Sequence, residues 1–95
     1  MLTFSDSGHK NLYLLIRAIN HKQRREIITH LSDKKTACVT SIYYELKCDQ
    51  SIALQHLKIL RDAGVVSRER VGRFIHYTLN EGKLDELNTL VGLLE

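Results

Sequence analysis

The chain contains no proline and only five glycines among its 95 residues. Helices therefore meet few built-in breakers. Two cysteines are too few for a disulfide-rich scaffold. No apolar run approaches the roughly 18 residues of a membrane span. The opening Met1-Leu-Thr-Phe-Ser-Asp-Ser-Gly8 lacks the basic start and apolar centre of a signal peptide. A reduced, cytoplasmic chain with no membrane partner is the expectation. The sequence has no glycine-rich phosphate loop and no activated-nucleophile pattern, and a chain this short has little room for a pocket of enzyme size. Neither an enzyme nor a cofactor is expected. The five histidines, at positions 9, 21, 30, 56 and 76, are scattered and do not pair at metal-ligand spacing, so no metal site is expected.

What is present reads as one small globular domain, residues 1–95, with 43% hydrophobic and 26% charged residues. A chain of this length buries only about 60–65% of its unfolded surface, so its core is thin. Fourteen Lys and Arg against eleven Asp and Glu give a net charge of +3. That excess is unevenly placed. From Leu84 to Glu95 there are three acids and no base, so the other 83 residues carry +6. The basic body favours an anionic partner, from which the acidic tail is held apart.

Residues 1–8 read as a flexible polar lead-in. From His9 the pattern turns helical, with Leu12, Leu15, Ile16 and Ile19 on one stripe. Asn20 or His21 opens a second helix through Arg24, Ile27, Ile28 and Leu31. Ser32 to Thr36 is polar and reads as a loop. Thr40 or Ser41 caps a short third helix with Ile42 and Leu46 inside. After the turn at Lys47-Cys48, Asp49 is a good N-cap for a fourth helix, because a carboxylate can accept the orphan amide hydrogens of a first turn. That helix, 49–63, stops at Gly64. The period then changes from 3.6 to 2. Two strands, Val65 to Arg70 and Phe74 to Leu79, flank a turn at Val71-Gly72-Arg73. Asn80-Glu81-Gly82 breaks the second strand, and a last helix over 84–95 carries Leu84, Leu87, Leu90, Val91 and Leu94 near heptad spacing. The fold class expected from this order, α-α-α-α-β-β-α, is mainly α with a small β-hairpin, the outline of a winged helix-turn-helix.

Several runs resemble a known family. Asp49-Gln-Ser-Ile-Ala-Leu-Gln-His-Leu-Lys-Ile-Leu-Arg-Asp-Ala-Gly-Val-Val66 is similar to the recognition helix of the ArsR/SmtB-type bacterial repressors, typically Ser-Gln-Ser-x-Val-Ser-x-His-Leu-x-x-Leu-Arg-x-Ala-Gly-Leu-Val. Arg70-Val-Gly-Arg-Phe-Ile-His-Tyr-Thr-Leu79 resembles the family's wing, with its Gly-Arg tip and Tyr-x-Leu exit. Lys22-Gln-Arg-Arg-Glu-Ile-Ile28 is similar to the Pro-Thr-Arg-x-x-Ile-Leu opening of its second helix. The likeness covers roughly residues 12–80. It implies a dimeric, DNA-binding transcriptional repressor, often released from DNA by a metal ion or by thiol chemistry.

The residues support that reading independently. On the fourth helix Ala53, Leu57 and Leu60 face inward. Ser51, Leu54, Gln55, Lys58 and Arg61 fall on the opposite face, with Gln50 in the first turn. Glutamine pairs two-pronged with adenine, and serine is permissive. Lys58 and Arg61 suit phosphates, which position a protein without reading sequence. In the wing (65–79), Arg68, Arg70 and Arg73 outnumber Glu69 and suit phosphates or the minor groove. Leu54 stands where the family commonly has serine. Touching a thymine methyl and covering the third helix are both open to it.

Cys38 and Cys48 raise the possibility of a thiol sensor. The family's arsenic sensors carry Cys-Val-Cys entering the third helix, whereas this chain has Cys38-Val39-Thr40. Soft metals and arsenite want two or three close thiolates. A Cys38–Cys48 bridge would have to span the third helix, about 12–15 Å at ~1.5 Å per residue, against the roughly 4.4–6.8 Å that a disulfide needs. Thiol switching would then require an intersubunit bond or an adduct. The family's other metal site uses Asp, His and Glu on the last helix, which here offers Asp85, Glu86 and Glu95 but no histidine.

In the family the first and last helices form the dimer interface, which assigns Leu12, Leu15, Ile16, Ile19, Leu84, Leu87, Leu90, Val91 and Leu94 to it. A two-fold dimer would set two recognition helices about 34–36 Å apart, on a near-palindromic site in double-stranded operator DNA. Two other readings stay open. One is a repressor that senses thiols or metals through Cys38 and Cys48. The other is a winged helix that docks protein and binds no DNA.

Overall fold

A computed structural model describes residues 6–94, with side chains described for residues 13–86, 88 and 89. The order is α1 (Asp6–Ile19), α2 (Lys22–Lys34), β1 (Thr36–Cys38), α3 (Val39–Leu46), α4 (Gln50–Asp62), β2 (Val66–Val71), β3 (Phe74–Leu79) and α5 (Glu81–Leu94). It is the mainly helical winged helix-turn-helix expected from the sequence, with one added strand. Among the described residues no helix is long and apolar enough to cross a membrane.

The added strand is β1. It pairs antiparallel with β3, giving the sheet order β1-β3-β2. Three residues show no readable period, and the tripeptide is extended because β3 offers it a free edge. Thr36 Oγ1 donates to the Tyr77 carbonyl at 3.2 Å, and Thr78 Oγ1 donates to Thr36 Oγ1 at 3.2 Å. The region expected to be a loop from Ser32 to Thr36 is therefore the end of α2 followed by the start of this strand. It also moves the start of α3. Cys38 leaves the strand with ψ 160° and is itself the N-cap, so α3 begins at Val39, ahead of the Thr40 or Ser41 cap expected.

Other boundaries shift for local reasons. α1 begins at Asp6, within the segment read as lead-in. His21 caps α2, its Nδ1 accepting from the Gln23 amide at 3.1 Å. Asp49 is the N-cap of α4, but its carboxylate makes no capping bond. Its carbonyl instead accepts from the amides of Ile52 and Ala53. α5 starts at Glu81 because Asn80 Oδ1 accepts from the Lys83 amide, 3.3 Å.

Two helix stops turn the chain, one between α3 and α4 and one between α4 and the wing. After α3 the Cys48 amide donates back to Tyr43 and the Lys47 amide to Tyr44, with Lys47 at φ 55°. This is the paired-bond helix stop that usually uses glycine. A lysine there costs about 1–2 kcal/mol of backbone strain. After α4 the same pattern recurs, with Val65 donating to Leu60 and Gly64 to Arg61, and here Gly64 supplies φ 78° without that cost.

The core gathers one face of each element. Leu15 and Ala18 come from α1, Ile27 and Leu31 from α2, Ile42 and Leu46 from α3, and Leu57 and Leu60 from α4. Val66, Tyr77 and Leu79 close it from the sheet, with Val65 just before β2. Each fully buried aliphatic side chain is worth about 1.5–3 kcal/mol of burial.

Candidate nucleic-acid interface

Helix α4 divides along its length as its period requires. Ala53, Leu57 and Leu60 are fully buried, while Gln50, Ser51, Gln55 and Lys58 are exposed. Leu54 is 39% exposed, so part of its side chain is open to solvent on that face. Arg61 is half-buried at the far end. The expected base-reading and phosphate-binding positions on this helix thus share one outward face, held by the opposite one.

The wing is a hairpin whose last pair, Val71 and Phe74, encloses the two-residue turn Gly72-Arg73. Gly72 has φ 64°, and nothing lies within 4 Å of where its Cβ would be, so backbone conformation alone favours glycine there. Arg68 is paired with Tyr77 and Arg70 with Ile75, which puts both arginines on one face of the ribbon. Glu69, paired with His76, points to the other face. The register therefore separates the acid from the bases it stands between. Arg68, Arg70 and Arg73 are all exposed. Among the described residues the ion pairs are Lys22–Glu26, Lys35–Glu81 and Lys83–Glu86, and none uses a cation of α4 or the wing. Those charges are free for an external anion. The wing also carries two exposed apolar side chains the sequence reading passed over, Val71 and Phe74. β-Branched and aromatic residues in a strand read as core until the register shows the strand outrunning the body.

Behind α4 lies a polar bridge that sequence patterns did not announce. Arg24 of α2, only 8% exposed, donates from Nε to the Ala18 carbonyl (3.1 Å) and from Nη2 to the Arg17 carbonyl (2.9 Å). Its Nη1 reaches His56 Nδ1 on α4 at 3.2 Å. His56, also 8% exposed, bonds Gln23 Oε1 through Nε2 at 2.9 Å. Arg25 adds a 2.7 Å bond to the Ile19 carbonyl. The last carbonyls of α1 are thus capped by arginines from α2, where the negative end of the helix dipole favours cations. Burial, with Arg17 nearby, lowers the Arg24 pKa below its ordinary value. Burial, then His21 and Arg24, lowers the pKa of His56.

The other expected sites divide. Cys38 and Cys48 are half-buried free thiols at opposite ends of α3, and Cys48 packs against the core. Among the described residues no group of three His, Cys, Asp or Glu side chains gathers as a metal site. Of the residues assigned to a dimer face, Leu15 is 1% exposed and serves its own core, because the α1 stripe packs inward at that turn. Ile19 and Leu84 are half-buried against the same core. Ile16 is 44% exposed beside Tyr13 at 65%. The side chains of Leu12, Leu87, Leu90, Val91 and Leu94 lie outside the described residues.

Comparison with known proteins agrees with this geometry. Residues 21–68 match the family model for bacterial regulatory proteins of the arsR family. The arsenical resistance operon repressor of Bacillus subtilis is 31% identical over 71 residues, 75% of this chain and 68% of that one. The SmtB repressor of Mycobacterium tuberculosis is 39% identical over 70 residues, 74% of this chain and 51% of that protein. The chain thus spans about half the length of that relative. The crystal structure of the transcriptional repressor PagR of Bacillus anthracis superposes with a TM-score of 0.71 at 28% identity, covering 96% of this chain and all of PagR. The chain belongs to the ArsR family of bacterial transcriptional regulators, a family of DNA-binding repressors and not of enzymes.

Proposed function

We propose that this protein is a cytoplasmic, homodimeric repressor that binds a near-palindromic operator, with α4 in the major groove and the wing beside it. One observation carries the reading. Among the described residues the exposed polar face of α4 and the exposed arginines of the wing enter no ion pair, and both suit DNA. Gln50, Ser51, Leu54 and Gln55 are the base-reading residues. Lys58, Arg61, Arg68, Arg70 and Arg73 hold phosphates. Tyr13 and Ile16, apolar and exposed on α1, support dimerisation through α1 and α5.

The test is a fluorescence-anisotropy titration against a labelled duplex enriched from random sequence by the protein itself, repeated across salt. Phosphate contacts release counterions, so affinity should fall steeply as salt rises. Failure to enrich any duplex would leave the protein-docking reading in its place. Arg73→Ala should weaken binding to every sequence about equally and reduce the salt slope by about 1. An unaltered slope removes Arg73 from the phosphate set. Gln55→Ala should instead relax preference at a single base pair, costing about 1–3 kcal/mol for the preferred base. Equal losses on all members of a base-substituted duplex series would reassign Gln55 to the backbone.

Sensing through Cys38 and Cys48 has less support, since the two thiols stand at opposite ends of α3.

A further inference from the structure

The Arg24–His56 bridge is absorbed by no part of the function above, although both residues lie in the runs that resemble the family. It joins three elements. The guanidinium holds the C-terminal carbonyls of α1 with two of its nitrogens and α4 with a third. The chemistry of the donors fixes the histidine's state. Arginine can only donate, so His56 Nδ1 must be the acceptor and the ring proton must sit on Nε2, where it is donated to Gln23 Oε1. A second ring proton would therefore face an N–H of Arg24 across 3.2 Å, replacing a hydrogen bond by a like-charge contact.

We propose that Arg24, Gln23 and His56 are positioning residues that seat the recognition helix on α1 and α2 only while His56 is neutral, so that acidification loosens α4 and weakens DNA binding. The proposal rests on α4 being the DNA-reading helix. The charged and titratable groups facing His56 oppose its protonation, while the neutral Gln23 accepts from its Nε2. Arg24 lies on α2 and His21 at its cap, with ring centroids 4.5 Å apart for the two histidines, and Arg17 of α1 stands behind Arg24. Among the described residues no carboxylate forms an ion pair with His56.

The sign of the stability effect follows from the lowered pKa. The folded state binds this proton less readily than the unfolded chain, so stability is complete above the ordinary histidine value and falls as the pH drops below it, towards the lower folded value. The DNA effect has the same sign, and this is diagnostic. Surface histidines that gain charge would tighten binding to a polyanion, whereas loss of the bridge weakens it.

The experiment follows affinity for the self-enriched duplex from about pH 8 to about pH 5, at constant salt, for the parent and for His56→Gln. The parent should lose affinity by up to about ten-fold per pH unit once below the pKa of His56. His56→Gln keeps an amide to meet Arg24 or Gln23 and cannot titrate, so its profile should stay flat or rise. A parent profile that is flat or rises on acidification overturns the proposal. So does a variant that falls in step with the parent.

A second measurement covers a variant that fails to fold. NMR of the free parent should show the α4 backbone amides shifting together with the His56 ring as it titrates. Amides that stay fixed while His56 protonates overturn the proposal without any DNA. If they shift, but no duplex binds at any pH, the DNA reading fails and the bridge survives as a proton-sensitive hold on α4.

Discussion

Leu57→Ala should destabilise the protein by about 3–5 kcal/mol, within the range for leucines emptied from a tight core. Leu57 is fully buried on the inner face of α4, between Ala53 and Leu60. It belongs to one core cluster with the equally buried Ile42 and Leu31, which are fixed on separate helices and cannot all collapse onto the gap. A domain of this size has about 5–14 kcal/mol in total, so the loss removes a large part of it. At roughly 4–8 °C per kcal/mol the melting temperature should drop by at least about 12 °C. Circular dichroism melts of parent and variant, at one protein concentration because dimerisation adds to stability, make the comparison. Leu54→Ala is the control on the same helix. Its side chain is 39% exposed, and the change should stay within about 1 kcal/mol. Equal losses for the two variants would mean that α4 is not held by the face assigned here.

The second large effect belongs to Arg24. Arg24→Ala removes a donor from the Ala18 carbonyl and one of two from the Arg17 carbonyl, which keeps the Asn20 amide, and leaves His56 Nδ1 without a partner in a buried place. Stripping partners from buried polar groups costs about 1–3 kcal/mol for each group left unsatisfied. Water at the partly open edge recovers some of that, so a net loss of about 2–4 kcal/mol is expected in urea unfolding. Arg24→Lys keeps the charge but has one nitrogen where three are used, and should recover only part of the loss. Hydrogen exchange adds a local reading. The amides at the α1 C-terminus and along α4 should lose protection together, because one side chain ties both. A loss below about 1 kcal/mol with unchanged α4 protection would show that core packing alone seats the helix.

Much of this was legible in order along the chain. The 3.6-residue stripes on α2 and α4 place Ile27, Leu31, Leu57 and Leu60 inside, and the change to a period of two locates the wing. Gly64 marks the end of α4 as its backbone requires. The α4 face could be read because a helix sorts its residues by angle, with no knowledge of its neighbours. What failed to show shares one cause. β1 is too short for a period and exists because β3 has a free edge. Asp49 is placed as a cap, yet its carboxylate is not used as one. Leu15 belongs to the same stripe as Ile16, but only the packing of α1 on α2 and α4 separates the buried residue from the exposed one.

Helix order, the inward stripes, the hairpin and the family can be read along the chain, because these depend on neighbours a few residues apart. Tertiary structure decided the rest. The pairing of β2 with β3 put Arg68 and Arg70 on one face and Glu69 on the other. The crossing of α2 and α4 brought Arg24 to His56 across 32 residues of chain, and carried both to the end of α1. Hydrogen bonds between side chains so far apart in sequence leave no periodic trace. They form only when packing has removed the water that would otherwise satisfy each group separately.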